Sequence, residues 1–275
     1  MLDKKISPML AYTSAPFDSP RHIFEIKWDG TRCILFIKDK KIRLQNRRLA
    51  DITYRYPELL GLYREVKAKN AILDGEVVVL SKGRPDFNKL QQREHISEPI
   101  KIDLLSQKMP ATYIAFDLLF LNGKNCTHLP LIERKKILRS ILQESTYLVE
   151  SLYIEEKGKA FFKRVLDEGL EGIMAKSITS PYLIGKRSRH WLKIKPKPTA
   201  ICYIIGYTEG KGAREAFFGS LALATYEEGR WVYRGRVGSG FSETDMELIL
   251  SRLQGLRVNS PPYSGKSDRC SVGQT

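Results

Sequence analysis

The chain has 275 residues, of which 42% are hydrophobic and 28% are charged, so it can bury a core and is not disordered. Its four cysteines show no CxxC spacing and its apolar runs are short. These features argue against a zinc knuckle, a disulfide framework, a secretion leader or a membrane span, and we expect a cytoplasmic protein. Lysine and arginine number 46 against 31 acidic residues, a net charge of +15 that favours a polyanionic partner such as nucleic acid.

The first predicted element is a strand over residues 23–28, in which apolar and charged residues alternate. Alternation places Glu25 and Lys27 on one face of this strand and apolar side chains on the other. In a buried strand, a carboxylate and an amine would therefore enter one cleft, just before Asp29 and Gly30. A solvated edge strand is the ordinary alternative, so the weight of this pattern depends on matching residues elsewhere.

Strands and helices alternate in the segments that follow. Predicted strands cover residues 34–37, 42–44, 71–80 and 113–121, the first two joined by a hairpin. Predicted helices cover residues 56–68, 130–143 and 159–168. The strand over 71–80 carries Asp74 and Glu76 on one face, which would bring two carboxylates into one site. The alternation predicts an α+β domain.

The sequence changes character after Pro196 and Pro198, two prolines that end a strand and stiffen a connector. We place a domain boundary between residues 197 and 198. Beyond it, predicted strands over 200–207, 219–226 and 230–237 are separated by glycine-containing turns and precede a helix over 243–253. Short strands with one helix suggest an OB-type barrel, but three strands do not close a barrel of five. We therefore predict one domain over 1–197 and an incomplete OB-fold domain over 198–275.

Five short motifs occur along the chain in a set order. They are KxDGxR at 27–32, DGE at 74–76, FD at 116–117, EGIMAK at 171–176 and WLKIK at 191–195. Together they resemble the motifs of the lysine nucleotidyltransferases, the superfamily of ATP-dependent DNA ligases, RNA ligases and mRNA capping enzymes. Further segments, including LQNR at 44–47 and LIERK at 131–135, look most like the ligase module of bacterial and archaeal LigD-type end-joining proteins.

The resemblance implies a fold and a reaction. The fold is an adenylation (nucleotidyltransferase) domain with antiparallel sheets and flanking helices, followed by an OB-fold. In the reaction, Lys27 attacks the α-phosphorus of ATP, forms a lysine-linked AMP and releases pyrophosphate. The AMP then passes to the 5′-phosphate of a DNA nick, and the 3′-hydroxyl attacks that activated phosphate and expels AMP. Positioning and charge neutralisation dominate such phosphoryl transfers.

The resemblance also assigns a role to each matched residue. These roles are Glu25 for the adenine amino group, Lys27 as nucleophile, Arg32 and Arg47 for the nick 5′-phosphate and the ribose side, Glu76 for the ribose or a metal, Phe116 and Ile173 for the two faces of the base, Glu171 for Mg²⁺ or Mn²⁺, Lys193 and Lys195 for the α-phosphate, and Lys176 and Arg187 for DNA phosphates. A solvated charge is the alternative for Lys176 and Arg187.

The two ends of the sequence bear on the cofactor and on the loading step. Only 26 residues precede Lys27, too few for the domain with which NAD-dependent ligases bind nicotinamide mononucleotide, so the resemblance implies ATP. The last basic motif of the family is not found after Leu256. We therefore expect weak or absent self-adenylation, with nick binding and sealing of a pre-adenylated nick retained.

The resemblance leaves several interpretations open. The first is a DNA ligase of repair or end joining, acting as a monomer on nicked or broken double-stranded DNA at the nucleoid of a prokaryote. That interpretation implies a Ku-type end-binding partner and polymerase or nuclease modules on other chains. The alternatives are an RNA ligase, a capping-type nucleotidyltransferase, or a truncated module that binds DNA or nucleotide without turnover.

Overall fold

The computed structural model describes residues 1–196 and 199–258 of the chain. The predicted boundary between 197 and 198, and the segment after residue 258 that bears on the last motif, lie outside the described residues. The chain divides into two compact units, the first being Met1–Pro196 and the second beginning at residue 197. Within the described part of the chain, no helix combines the length and apolarity needed to cross a membrane.

The first unit is built from twelve strands, four α-helices and two 3-10 helices. The strands are β1 Leu10–Thr13, β2 Ser19–Ile26, β3 Thr31–Lys38, β4 Lys41–Asn46, β5 Asn70–Ser81, β6 Arg84–Pro85, β7 Ala111–Leu121, β8 Lys124–Asn125, β9 Leu148–Glu150, β10 Tyr153–Glu156, β11 Ile173–Ser177 and β12 Arg187–Ile194. The α-helices are α1 Phe87–Glu94, α2 Pro99–Lys108, α3 Leu131–Ile141 and α4 Gly158–Asp167. The 3-10 helices are Thr53–Arg55 and Pro57–Arg64.

The strands of the first unit form two mainly antiparallel sheets. The larger sheet has the order β4-β3-β5-β7-β8, with β6 beside β5 and β9 parallel to β7. The smaller sheet has the order β1-β12-β11-β2-β10, in which only β1 and β12 run parallel. The α+β class with antiparallel sheets and flanking helices, predicted from the sequence, is confirmed.

The structure corrects two local predictions, the helix over 56–68 and the end of the strand over 23–28, and adds two helices. The helix predicted over 56–68 is a 3-10 helix, Pro57–Arg64, in which Leu59 and Leu62 are buried at the three-residue spacing of that helix. Helices α1 and α2 were not predicted. Their start signals are an Asp86 side chain that accepts from the Lys89 backbone N–H, and Pro99 in the first turn. Strand β2 ends at Ile26, so Lys27 lies just beyond it.

Alternation along β3 shows how the two sheets are held together. Cys33, Leu35 and Ile37 point into the main core beneath the larger sheet, whereas Ile34 and Phe36 point the other way. That second face packs against residues of the smaller sheet and its loops, including Met9, Tyr182 and Trp191. The opposite face of the smaller sheet is covered by α4 through a third apolar cluster. The two sheets therefore face each other across a shared apolar layer.

A buried ion pair fixes the connection between β11 and β12. The Arg134 guanidinium on α3 binds the Asp117 carboxylate through two hydrogen bonds of 2.7 and 2.9 Å, and both side chains are fully buried. The same guanidinium donates to the Ser180 carbonyl at 2.8 Å. The aspartate of the FD motif therefore holds a loop in place.

The described part of the second unit, residues 199–258, contains β13 Tyr203–Glu209, β14 Phe218–Glu227, β15 Arg230–Val237 and α5 Glu243–Gln254. The strands form one antiparallel sheet in the order β13-β14-β15. Phe218, Leu221 and Met246 make its small core. Ser242 and Asp245 form a capping box at the start of α5, which explains why the predicted start of that helix is correct.

Candidate active site

A pocket of about 300 Å³ lies between the two sheets of the first unit. It is lined by Met9, Leu10, Ala11, Glu25, Ile26, Lys27, Trp28, Arg32, Arg47, Glu76, Phe116, Met174, Lys176, Arg187, Trp191, Lys193 and Lys195. All of the site residues predicted from the sequence are in this lining except Ile173 and Glu171. Residues distant in sequence thus meet at one cavity.

One end of the pocket holds a triad of a carboxylate between two lysines. The Lys27 ammonium donates to Glu171 Oε2, and Lys195 forms an ion pair with Glu171 Oε1. The side chains of Lys27, Glu171 and Lys195 are 23%, 21% and 42% exposed, so solvent reaches all three. We call this group the open triad. Its lysines line the pocket together with Lys193, which makes this end strongly cationic.

The backbone places Lys27 beside Glu171. The Lys27 N–H donates to the Gly172 carbonyl at 2.9 Å, directly after the glutamate. Gly172 has φ of 144°, and a Cβ there would collide with the Ile194 carbonyl. Only glycine fits both the backbone conformation and the close approach of β12. Glu171 and Gly172 therefore act together: Gly172 positions the backbone of Lys27, and Glu171 is the counter-ion of its side chain.

Arg32 is fixed by a buried aspartate. Its guanidinium binds Asp74 through two hydrogen bonds of 2.6 Å, and the Tyr182 hydroxyl donates to the same carboxylate at 2.6 Å. Burial lowers the Arg32 pKa, but the contact with Asp74 raises it by more, so the guanidinium stays charged. It also lies 4.6 Å from the centre of the Phe116 ring. Asp74 positions this cation, and of the two DGE carboxylates only Glu76 lines the pocket.

Two further carboxyl groups near the open triad have raised pKa values. Burial raises the pKa of Glu76 to about 7, with Arg32 and Lys27 opposing the shift. Burial, and then the charge of Glu171, raises the pKa of Asp29. Carboxylates that are poorly solvated and repel one another gain from an added cation. Glu76 is therefore a suitable oxygen donor for a divalent cation, whereas Glu171 already has Lys27 and Lys195 as counter-ions.

The other end of the pocket holds a second carboxylate between two lysines. Lys176 donates to Glu25 Oε2 at 2.8 Å, and Lys135 on α3 lies 3.0 Å from Glu25 Oε1. Lys135, Glu25 and Lys176 are no more than 2% exposed. We call this group the closed triad. The Ser151 hydroxyl donates to Glu25 at 3.2 Å and accepts from the Trp28 indole at 3.1 Å, which ties the triad to the segment after Lys27.

Aromatic rings line the pocket beside the closed triad. Phe116 and Trp191 pack edge to face at 6.1 Å between ring centres. The Lys176 ammonium lies 4.3 Å from the Phe116 ring centre and 4.5 Å from that of Trp191. Burial lowers the pKa of Lys176, opposed by Glu25. The rings and the carboxylate together offer stacking and hydrogen-bond acceptance to a flat polar ligand.

Two residue assignments change. Ile173 is fully buried with Phe24 and Val165 on the α4 side of the sheet, so it does not reach the pocket. Met174, its neighbour on β11, lines the pocket, because successive strand residues point to opposite faces. Lys176 is 2% exposed and paired with Glu25, which is incompatible with a contact to a DNA backbone. Its place is in the closed triad.

Sequence reasoning missed the residues that support the site. Lys135 and Ser151 hold Glu25, and Tyr182 holds Asp74. The local signal for Tyr182 was that it begins the segment 182–191, which resembles the LigD-type ligase module. Lys135 follows Leu131 by four residues and precedes Leu138 by three, so helical spacing puts it on the apolar stripe of α3, and this was the signal that separates it from the exposed Lys136.

The pocket thus presents a lysine paired with a carboxylate at a cationic end, and aromatic rings with a hydrogen-bond acceptor at the other. This arrangement defines a nucleotide-binding site of the lysine nucleotidyltransferase class. The family described as "ATP dependent DNA ligase domain" matches residues 4–195, and "ATP dependent DNA ligase C terminal region" matches residues 214–272. The chain belongs to the ATP-dependent DNA ligase family.

Curated relatives agree with this assignment. A DNA ligase of Nitrosopumilus maritimus is 32% identical over 242 residues, covering 83% of this chain and 41% of the relative. A DNA ligase of Thermococcus fumicolans is 32% identical over 272 residues, covering 93% of this chain and 48% of the relative. The chain spans less than half the length of these relatives.

Solved structures show the same fold. The ligase domain of M. tuberculosis LigD is 28% identical with a TM-score of 0.62, covering 94% of this chain and 81% of that one. A mycobacterial DNA ligase D complexed with ATP and MES is 28% identical with a TM-score of 0.63, and the match covers 98% of this chain and 84% of that one. The fold is therefore that of a ligase nucleotidyltransferase domain followed by an OB-fold region.

Proposed function

We propose that this chain joins DNA strands with ATP through a covalent AMP on Lys27. The observation that carries the proposal is the open triad, which holds Lys27 against Glu171 at the cationic end of the pocket. In the first step the Lys27 amine attacks the α-phosphorus of ATP, forming a phosphorus–nitrogen bond as pyrophosphate leaves. The AMP then passes to the 5′-phosphate at a nick, and the 3′-hydroxyl displaces it.

The cationic end suits charge that builds up on a transferring phosphate. Lys193 and Lys195 lie at the end of β12 beside Lys27, and we assign them to the α-phosphate. Arg187 lies at the exposed start of the same strand and is assigned to a DNA phosphate. Arg32 and Arg47 are assigned to the nick 5′-phosphate and the ribose side. Lys27 can attack only after Glu171 releases it and a proton is lost.

The aromatic end suits the base. Phe116 and Met174 line the pocket, and we assign them to the two faces of the adenine ring. Glu25 lines the same end and is a hydrogen-bond acceptor suited to the adenine amino group. Glu76 is assigned to the ribose or a metal ion.

The carboxylates fit a magnesium ion bound together with nucleotide. No group of three histidine, cysteine or acidic residues able to hold a metal occurs in residues 1–196 and 199–258. Mg²⁺ commonly uses one or two carboxylates and completes its shell with phosphate oxygens and water. Glu76, whose burial favours an added cation, would hold it together with Glu171, which would first release Lys27 and Lys195. Such an ion would neutralise phosphate charge during transfer.

The cellular role is proposed from the likeness to LigD-type ligases. We infer a monomer that acts on nicked or broken double-stranded DNA in repair or end joining, at the nucleoid where that substrate lies. A Ku-type end-binding protein and polymerase or nuclease modules on other chains are the partners that this likeness suggests. The net charge of +15 supports a DNA substrate.

The test is a joining assay with two nicked duplexes, one with a plain 5′-phosphate and one already adenylated. We expect Lys27→Arg to lose ATP-dependent joining of the first while still sealing the second. Lys163→Arg, an exposed lysine on α4, is the matched control and should behave like the unchanged chain. Joining of the plain nick by Lys27→Arg at the unchanged rate would refute the proposal.

A further inference from the structure

Lys135 contacts Glu25, a residue of the pocket wall, but does not line the pocket itself. It lies on α3 and is 1% exposed. Its ammonium donates to the Ser151 carbonyl at 2.7 Å and lies 3.0 Å from Glu25 Oε1 and 4.0 Å from Glu150 Oε1. Glu150 is already bound by Arg139 at 2.9 Å. A buried ammonium is costly unless it is paired, and here the nearest carboxylate is Glu25.

The two oxygens of Glu25 are used differently. Oε2 accepts from Lys176 and from the Ser151 hydroxyl. Oε1 is fully buried and makes no hydrogen bond within the described residues, although Lys135 lies 3.0 Å away. Glu25 lines the pocket while its Oε1 faces Lys135, so this contact fixes how the carboxylate is set in the pocket wall.

A carboxylate between two ammonium groups accepts hydrogen bonds and donates none. A purine with a 6-amino group can donate to such an oxygen. A purine with a 6-oxo group would instead place two acceptors against each other, a repulsion that discriminates between the ligands. Selectivity requires the carboxylate to keep its position, and Lys135 contacts one of its two oxygens.

We propose that Lys135 is a positioning residue that holds the Glu25 carboxylate in place through Oε1, so that the pocket selects a 6-amino purine over a 6-oxo purine. The inference rests on the proposed function insofar as that function places a purine nucleotide in this pocket. It goes beyond that function by assigning base selectivity to a residue outside the pocket wall.

The experiment compares binding of ATP and of inosine triphosphate, which carries a 6-oxo group, to the full chain by titration calorimetry. We expect the unchanged chain to prefer ATP by roughly 10- to 100-fold, the range of one hydrogen bond to a charged group. Lys135→Met should weaken ATP binding until the preference is below about threefold, while inosine triphosphate binding changes little. A merely structural role would weaken both nucleotides equally.

Lys136→Met, the exposed neighbour on α3, is the matched control and should keep the full preference. Circular dichroism checks folding, and Lys135→Gln, which keeps a donor for the Ser151 carbonyl, replaces the methionine variant if that variant is unfolded. An unchanged preference in the Lys135 variant overturns the inference, as does an unchanged chain that binds both nucleotides equally. Binding needs no chemistry, so a chain that prefers ATP but never forms Lys27–AMP would refute the proposed function alone.

Discussion

The pocket contains the same chemical unit twice, a glutamate between two lysines, in two different settings. In the open triad the side chains of Lys27, Glu171 and Lys195 are 21–42% exposed. In the closed triad those of Lys135, Glu25 and Lys176 are 1–2% exposed. Composition alone therefore does not determine what a lysine–carboxylate group does.

The difference in burial sets how easily each triad comes apart. Water competes for partly exposed ion pairs, which are worth about 0–1 kcal/mol, so Lys27 can leave Glu171 at little cost. Removing one member of a buried pair typically costs about 3–5 kcal/mol, because a charge is left without a partner. A nucleophile must be released, whereas a group that reads a base must stay fixed. The open triad suits the first task and the closed triad the second.

The largest expected effect comes from breaking the closed triad. Glu25→Gln leaves two buried ammonium groups without their shared carboxylate, and we expect the free energy of unfolding to fall by about 3–5 kcal/mol. Urea denaturation measures this loss. Glu168→Gln, which removes a surface partner of Arg84 and Arg164, is the control and should cost less than about 1 kcal/mol. Equal losses in the two variants would remove the distinction between the triads.

The matched change in the open triad should affect rate instead of stability. Glu171→Gln removes the carboxylate that positions Lys27 and Lys195, and we expect adenylyl transfer to slow by about 10²- to 10³-fold. The free energy of unfolding should change by less than about 1 kcal/mol. Single-turnover transfer from labelled ATP measures the rate, and urea denaturation measures the free energy of unfolding. A destabilisation as large as that of Glu25→Gln would contradict the account.

Glu76 provides a test through pH. Burial raises its pKa in the folded chain to about 7 from an ordinary value of 4.5, so the folded state binds the proton more tightly than the unfolded state. Stability from this group is therefore lost as pH rises from about 4.5 to 7, and the loss is complete above pH 7.

Glu76→Gln cannot ionise, so it should be more stable than the unchanged chain at pH 8 by about 1–3 kcal/mol, with the difference shrinking towards pH 5. Urea denaturation at both pH values measures it. An equal difference in the free energy of unfolding at the two pH values would show that burial does not raise the pKa of Glu76.

The smallest effect is expected at the exposed start of β12. Arg187→Ala should weaken binding to nicked duplex and reduce the slope of log affinity against log salt by about one, since one phosphate contact is lost. Fluorescence anisotropy at several salt concentrations measures the slope. Arg84→Ala, an exposed arginine paired with Glu168, is the control and should leave the slope unchanged.

The pocket residues were predictable because the chemistry restricts residue types at short spacings. KxDGxR and EGIMAK each contribute residues that meet in the structure, Lys27 and Glu171 above all. The pocket face of a short strand was misassigned, and the choice of Ile173 in place of Met174 is an error of one residue. Alternation from Lys176 would have placed Met174, and not Ile173, on the pocket face.

The partners of the buried polar groups were beyond the reach of the sequence. Helical spacing places Lys135 on the apolar stripe of α3, but its contacts with Ser151 and Glu25 depend on where α3 packs against β7. The 3-10 helix Pro57–Arg64 likewise takes its form from how Leu59 and Leu62 pack. In both cases tertiary contacts decide the outcome, and local composition does not record them.

The central claim is that Lys27, the releasable lysine of the open triad, becomes covalently bound to AMP. Intact-mass spectrometry of the full chain after long incubation with ATP and Mg²⁺, followed by peptide mapping, tests it directly. We predict a mass increase of one adenylyl group located on Lys27 and absent from Lys27→Arg, even if loading is slow. No adduct, or an adduct on Lys193, Lys195 or a lysine of the closed triad, would contradict it.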